Sequence, residues 1–242
     1  MRFDRRISRR SFLAAAGATS AVLALTACGG SSSSVAASSA SGTATSAAGT
    51  AQGGTLNIML ETEVQSLDPQ VATDGTSFEV IADYTDGLMQ MDADGAAVPS
   101  IAETYDISED GKTYTFHLRD GLKWSDGQAL TAHDFEYGAY CLLNPDMGSP
   151  AAYSWFAIKN ASAYNSREIT DWAEVGVKAL DDLTLEITLE RPLNSFDRTI
   201  AVRGLYPLRQ DFVEQVGSQQ LGSSPETMLF SGPYTITDWV LE

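Results

Sequence analysis

The sequence contains little cysteine and little histidine. Its 242 residues include two cysteines, Cys28 and Cys141, and two histidines, His117 and His133. Two cysteines, one of them in a segment of small residues, predict no disulfide framework, and Cys141 is expected to be a small buried residue. His133 and Glu136 could offer two metal ligands, but a metal site needs three or four that converge. The sequence therefore predicts no metal and no other cofactor.

Basic residues are also scarce relative to acidic ones. The chain has 15 Lys and Arg against 32 Asp and Glu, which gives a formal net charge of −17. Such a chain repels phosphate backbones, so no nucleic-acid partner is predicted. Neither a nucleophile elbow nor a glycine-rich phosphate loop is present, and pairs of carboxylates are expected by chance in so acidic a chain. The sequence thus specifies no enzyme.

No hydrophobic run is long enough to be trusted as a membrane span. The apolar part of SRRSFLAAAGATSAVLALTAC, residues 8–28, is shorter than the roughly 20 residues of a spanning helix. Its basic start, apolar middle and small residues are typical of a secretory signal peptide. Arg9 and Arg10 resemble a twin-arginine export signal, and LTAC resembles a lipobox, which implies cleavage before Cys28 and a lipid on its thiol. The alternatives are an unlipidated signal peptide and an ordinary N-terminal helix.

We therefore expect residues 1–27 to be a signal peptide of the twin-arginine, lipoprotein type. Residues 28–52 would be the lipidated cysteine and a Ser/Ala/Gly tether. This segment has no charged or aromatic residue, so it cannot bury enough apolar surface to offset the entropy of ordering. The prediction is a lipid-anchored protein at the outer face of the cytoplasmic membrane, facing the cell surface or periplasm.

The remaining chain alternates between strand and helix patterns. TLNIML, residues 55–60, places every second residue on one apolar face and predicts a strand. A helix is expected to begin at Thr76, which has capping-box spacing to Glu79, and to end near Gly87.

Two hairpins and a second helix are predicted further along the chain. Asp110-Gly111 should turn one hairpin, and Asp181-Asp182 should turn another, with Leu183 on its apolar side. Thr131 should cap a helix that runs through Leu143. These patterns indicate a mixed α and β fold. The aromatic residues between these elements are dense, and they indicate either core packing or a ligand cleft; they are Trp124, Tyr137, Tyr140, Tyr153, Trp155, Tyr164 and Trp172.

Several motifs in order resemble the extracellular solute-binding proteins of family 5, the dipeptide/oligopeptide-binding type. They include SLDP, SEDGKTYTFHLRDGLKWSDGQALTAHDF, VGVKALDDLTLEITLERP and SGPYTITDW. The resemblance implies an α/β, periplasmic-binding-protein-like fold whose two lobes close around a ligand. It also implies that this chain is an N-terminal fragment holding only the first lobe and its inserted subdomain, which we expect to bind peptides poorly by itself.

The same resemblance implies a division of the chain and a set of ligand-binding residues. Residues 53–75 and 201–242 would form an incomplete ligand-proximal sheet domain, and residues 76–200 the inserted subdomain. Thr73, Asp74 and Gly75 match a loop that contacts an extended peptide partly through its backbone. Ala151 replaces a ligand-facing tyrosine of the family, and Tyr153 is expected to substitute for it.

The expected function is the substrate-binding subunit of an ABC importer that captures oligopeptides outside the cell. Its partners would be a peptide ligand, the transmembrane permease subunits and the membrane itself, and the protein is expected to be monomeric. The alternatives are a dipeptide, an oligosaccharide or a metal chelate as the ligand, an exported hydrolase, and a surface sensor or adhesin without a transport role.

Overall fold

The computed structural model describes residues 59–240. The predicted signal peptide, Cys28, the tether and residues 55–58 of the predicted first strand lie outside the described residues. Met59 and Leu60, the last two residues of that strand, are described and are not part of a strand. None of the helices between residues 59 and 240 is long and apolar enough to cross a bilayer.

The described chain has mixed helix and strand content, as the sequence predicts. Its helices and strands are, in order, α1 Gly75–Tyr84, β1 Met89–Met91, β2 Ala97–Pro99, β3 Ala102–Ile107, β4 Thr113–Leu118, α2 Ala132–Leu143, α3 Ala161–Asn165, β5 Val177–Asp181, β6 Thr184–Thr188, α4 Phe196–Arg203 and α5 Gln210–Val216. Short 3₁₀ segments lie at Ala152–Trp155, Trp172–Glu174, Ser218–Gln220 and Pro225–Thr227.

A four-stranded antiparallel sheet with the order β3-β4-β6-β5 is the centre of the fold. Both predicted hairpins are confirmed: β3 and β4 flank Asp110-Gly111, and β5 and β6 pair Asp181 with Thr184. Alternate residues of β4 and β6 are buried, as the period-two pattern requires. Leu183 was expected on the apolar side, but it lies in the turn and is 38% exposed, because the chain reverses there.

Helix α2 covers the apolar face of this sheet through contacts with β5 and β6. Its predicted start is confirmed, since Thr131 is the N-cap and its backbone N–H donates to Asp134 Oδ2 at 2.8 Å. Its predicted end at Leu143 is also confirmed. The sheet, α2 and α4 enclose the first hydrophobic core, which includes Phe116, Phe135 and Phe196.

Helix α1 begins and ends at different residues from those predicted. Its N-cap is Asp74, whose Oδ1 accepts a hydrogen bond from Ser77 N at 2.8 Å. Thr76 lies inside the helix and pairs instead with the Thr62 hydroxyl. An acidic side chain two positions earlier, Asp74, thus accepts from a free N–H group at the start of the helix, as the predicted capping box would have done.

The helix also ends at Tyr84, earlier than Gly87. Tyr84 O accepts hydrogen bonds from Ser231 N and Gly232 N, and Asp83 O accepts one from Tyr234 N. The last carbonyls of α1 are therefore satisfied by a segment that is distant in the sequence. A helix end supplied with such partners does not need the glycine that the sequence offers.

A second, smaller hydrophobic core lies beside the first. It consists of residues from 64–84 and 206–236, including Leu67, Ile81 and Tyr84. Neither 59–75 nor 206–240 contains a strand, so the sheet predicted for the flanking segments stays a prediction. Helix α1 packs in this second core, although the predicted subdomain boundary lies just after its first residue.

The WSDG motif, residues 124–127, links the two cores. Trp124 Nε1 donates to the buried Asp134 Oδ2 of α2 at 3.2 Å. Ser125 N donates to Phe230 O at 2.8 Å. The next residue of the motif, Asp126, forms an ion pair with Arg209, which follows Tyr206 of the second core. Trp124 thus ties the motif to α2 of the first core, and Ser125 and Asp126 tie it to the 206–236 segment.

Candidate functional site

A cleft of about 380 Å³ opens next to the SLDP motif. Its walls come from the segments 66–71, 147–149 and 218–221, together with Cys141 of α2. Ser149 Oγ donates to Gln70 O at 2.5 Å, and Gln70 Nε2 donates to Tyr206 O at 3.5 Å. These hydrogen bonds hold the SLDP loop against Ser149 on one side and Tyr206 on the other. The position of this wall of the cleft therefore depends on residues that are distant in the sequence.

Asp68 is the carboxylate in this wall, and it is only 6% exposed. Its Oδ1 accepts a hydrogen bond from Gln70 N at 2.8 Å. Burial raises the pKa of Asp68 to about 6, and the Gln70 hydrogen bond offsets this only in part. Between residues 59 and 240, no Lys, Arg or His forms an ion pair with it.

Two ionisable side chains near Asp68, those of Cys141 and Tyr84, carry no charge at neutral pH because their pKa values are raised. Burial raises the pKa of Cys141 to about 12, and the nearby Asp68 carboxylate adds to this. Burial raises the pKa of Tyr84 well above its ordinary value, and Asp68 again contributes. Asp86 is a second acid with a pKa raised by burial to about 6, and it acts on the Tyr206 hydroxyl. Asp68 is thus a carboxylate without a cationic partner among residues 59–240.

The predicted loop residues lie between the cleft and α1. Thr73 and Gly75 are exposed, and Asp74 is half-buried as the N-cap. Burial pushes the pKa of Asp74 upward, but the hydrogen bonds with Ser77 outweigh it and hold the pKa below its ordinary value. Asp74 Oδ2 is shielded from solvent and has no hydrogen-bond partner among the described residues.

Tyr153 is 67% exposed in the 3₁₀ segment that follows Ser149. The loop 73–75 and Tyr153 do not line the cleft themselves. They extend from the two segments that the Ser149–Gln70 hydrogen bond holds together. The predicted residues therefore lie a few positions beyond two segments that form walls of the cleft, and their role in binding stays a prediction.

Most of the other aromatic residues belong to the core. Trp124, Trp155 and Tyr164 are buried, while Tyr140 and Trp172 are half-buried and meet edge to face at 5.4 Å. Packing, the simpler of the two explanations, accounts for these side chains.

The two histidines lie on the surface, His117 on the sheet and His133 on α2, each next to an aspartate. His117 Nε2 lies 3.0 Å from Asp106 Oδ2, and His133 Nε2 lies 3.6 Å from Asp182 Oδ1. Glu136 accepts hydrogen bonds from Trp172 Nε1 and Ala179 N, so it is engaged in packing α2 on β5. Within residues 59–240, no three His, Cys, Asp or Glu side chains are grouped to hold a metal.

Sequence reasoning did not assign Asp68 or Gln70 to a site. The SLDP motif was visible, but an Asp before Pro reads as a turn, and the Asp68–Gln70 hydrogen bond is such a turn. A mostly buried acid without a cation in nearby sequence is the signal that could have pointed to it. Its burial, however, arises only in the folded protein, where the distant Gly222 lies close against the Asp68 backbone.

Residues 96–242 match the family model described as bacterial extracellular solute-binding proteins, family 5 Middle. The probable deoxycholate-binding periplasmic protein YgiS of Escherichia coli is 40% identical over 178 residues, which is 73% of this chain and 33% of that protein. The oligopeptide-binding protein OppA of Bacillus subtilis is 37% identical over 185 residues, covering 76% of this chain and 34% of OppA. The chain thus spans about a third of the length of these curated relatives.

Solved structures show the same fold. The substrate-binding domain of an oligopeptide ABC transporter from Bacillus anthracis has a TM-score of 0.71 and 38% identity, covering 74% of this chain and 34% of that one. Listeria monocytogenes OppA bound to peptide has a TM-score of 0.70 and 32% identity over 73% of this chain and 35% of that one. The described residues thus have the fold of part of a periplasmic peptide-binding protein. The chain belongs to the family 5 bacterial extracellular solute-binding proteins.

Proposed function

We propose that this chain is the substrate-binding component of an ABC importer that captures peptides outside the cell and delivers them to a permease. The observation that carries the proposal is the family match together with relatives named for oligopeptide binding, such as OppA of Bacillus subtilis. The predicted export signal and Cys28 support a lipid-anchored protein at the outer face of the cytoplasmic membrane.

The exposure of the 73–75 loop and of Tyr153 supports an extended peptide as the ligand. The exposed loop at Thr73 and Gly75 offers backbone groups, which bind any peptide without reading its side chains. The exposed Tyr153 ring offers a surface on which a ligand side chain can pack.

Calorimetric titration tests the proposal. The protein from its complete reading frame and the 242-residue chain are each titrated with tripeptides to pentapeptides and with dipeptides. We expect the protein from the complete reading frame to bind peptides with a micromolar or lower Kd, and the 242-residue chain to bind them more weakly. Tyr153→Ala should weaken binding about fivefold or more, whereas Ile107→Ala, which removes another exposed side chain on β3, should not. Hydrolysis of the peptides without retention would contradict a receptor.

A bile acid is a second candidate ligand, because a relative named for deoxycholate is 40% identical to this chain. Deoxycholate is therefore included in the same titrations. Saturable binding of deoxycholate without binding of any peptide would show that the ligand is a bile acid. The protein would still be a solute-binding receptor.

The anchor and the export route are tested in cells. Cys28→Ser removes the thiol that would carry the lipid, so the protein should move from the membrane fraction to the medium or periplasm. Replacing Arg9 and Arg10 by lysine should retain it in the cytoplasm if the twin-arginine route is used. Unchanged fractionation of both variants would contradict this part of the proposal.

A further inference from the structure

The backbone passes between the two hydrophobic cores at two places in the described part of the chain. The second core takes its buried members from residues 64–84 and 206–236, and the first takes them from residues 88–205. The chain therefore changes core at residues 85–87 and again at residues 204–206. These two segments are called the two crossings below.

The two crossings lie side by side. A Cβ added at Gly87 would lie 3.6 Å from Gly204 Cα and 3.9 Å from Leu205 N. Gly204 has a φ of +61°, and a Cβ there would lie 2.2 Å from Tyr206 Cζ, so the Tyr206 ring folds back over its own crossing. Two glycines thus let the crossings pack closely, and the cores can move apart only if both crossings move.

Asp86 lies in the middle of the first crossing without a cationic partner. It is half-buried between the buried Thr85 and Gly87, and within residues 59–240 no Lys, Arg or His forms an ion pair with it. Burial and, after it, the Asp86 carboxylate raise the pKa of Tyr206 in the second crossing to about 12. A carboxylate that is shielded from water and has no counter-ion destabilises the closed arrangement around it when it ionises.

We propose that the two crossings form a pH-sensitive joint whose opening is controlled by the ionisation of Asp86. While Asp86 is protonated, the crossings stay packed and the two cores are tightly coupled. When Asp86 ionises, a local opening that admits water to its carboxylate becomes more favourable, so the cores come apart more often. The inference goes beyond the proposed function and does not depend on which ligand the protein binds.

The groups packed around the joint leave Asp68 as the other acid to be controlled. Burial raises the pKa values of both Asp86 and Asp68 to about 6. The neighbouring hydroxyl and thiol groups stay protonated below neutral pH because burial raises their pKa values; they belong to Tyr84 on α1, Tyr206 and Cys141 on α2. The remaining charged groups have other partners: Asp134 accepts from Trp124 and Thr131, and Arg209 pairs with Asp126 and Asp211.

Hydrogen exchange on the protein from its complete reading frame tests the joint, with protection factors corrected for the pH dependence of intrinsic exchange. Two hydrogen bonds span the cores and report its opening: Leu208 N donates to Asp134 O at 2.9 Å, and Ser125 N donates to Phe230 O at 2.8 Å. The pKa of Asp86 is about 6 in the closed state against an ordinary 3.8, so the closed state loses its advantage as the pH rises through this window. Protection of both amides should fall by about tenfold or more between pH 4 and pH 7, whereas protection of β4 should fall less.

Two variants and a control assign the effect to Asp86. Asp86→Asn removes the charge, so it should restore most of the protection that the two amides lose at pH 7. Asp68→Asn removes the other acid that titrates in this range and should restore less. Asp94→Asn removes an equal charge from the exposed turn between β1 and β2 and should leave the fall unchanged.

The pH profile of the unmodified protein does not depend on how any variant folds. Constant protection of both amides between pH 4 and pH 7 overturns the inference. An equal fall in β4 also overturns it, because the protein would then open as one unit. An unchanged fall in a folded Asp86→Asn, or a larger recovery in Asp68→Asn, overturns it as well, because another group then controls the opening. Ligand binding is measured separately by the titrations, so these outcomes leave the proposed function untouched.

Discussion

Asp68 links pH to stability at the scale of a single residue. The pKa of Asp68 is raised from 3.8 to about 6 in the folded protein, so its ionisation disfavours the folded state. The folded state therefore loses stability as the pH rises through the window from about 4 to 6, by roughly 2–3 kcal/mol at 1.36 kcal/mol per pKa unit. Below that window the side chain is protonated in both states and the penalty is absent.

We expect Asp68→Asn to remove this penalty while its amide oxygen still accepts from Gln70 N. The free energy of unfolding of the variant minus that of the unmodified protein should therefore grow between pH 4 and pH 7. Urea unfolding at several pH values measures this difference. A constant difference would show that Asp68 ionises in the folded protein as easily as in the unfolded chain.

The start of α1 provides a second prediction at the residue scale. Asp74 caps the helix through Ser77 N, so Asp74→Ala should lower the free energy of unfolding by about 1 kcal/mol. Thr76→Ala removes the residue that the sequence pattern favoured and should change it by less than about 0.5 kcal/mol. Denaturant titrations of both variants measure this free energy. A larger loss of stability for Thr76→Ala than for Asp74→Ala would show that Thr76 is the N-cap.

At the scale of elements, the approach of α2 to the second core depends on a glycine. A Cβ at Gly138 would lie 2.2 Å from Tyr206 O, and the neighbouring Leu208 N donates to Asp134 O at 2.9 Å. Gly138→Ala must displace this backbone, so we expect a loss of about 2–3 kcal/mol in the free energy of unfolding.

Gly75→Ala is the matched control, since it is also a helical glycine but has nothing within 4 Å of the added Cβ. That change should leave stability unaltered or raise it by up to about 1 kcal/mol. Thermal unfolding of the two variants makes the comparison. Similar melting temperatures for both would mean that α2 does not contact the 206–208 segment as closely as described.

At the scale of the whole molecule, the two cores differ in how their backbones are held. The first core is built on the four-stranded sheet and α2, whereas the described part of the second has α1 and loops but no strand. Local opening is easier where few ladder hydrogen bonds must break. We expect backbone amides of 64–84 to exchange with solvent faster than those of β4 and β6 in native-state hydrogen exchange.

Arg209→Gln removes the ion pair to Asp126 and should speed exchange in the second core more than in the sheet. Equal protection of both cores, or equal acceleration by Arg209→Gln, would show that they open as one cooperative unit.

Features that depend on neighbours along the chain could be predicted from the sequence. Period-two alternation gave the buried faces of β4 and β6, and Thr131 gave the start of α2. Family motifs such as WSDG identified the fold. These features follow from local geometry, because side chains alternate across a strand and a cap serves the turn that follows it.

The end of α1 and the burial of Asp68 depend instead on contacts between distant parts of the chain. Helix α1 ends where Ser231 and Gly232 reach its last carbonyls, and Asp68 is buried where the distant Gly222 lies close against its backbone. The length of a helix depends on which distant groups hydrogen-bond its last carbonyls in place of water. The pKa of a carboxylate depends on which distant groups exclude water from it. The sequence showed an Asp before a proline as a turn, and the fold made it a buried charge beside an open cleft.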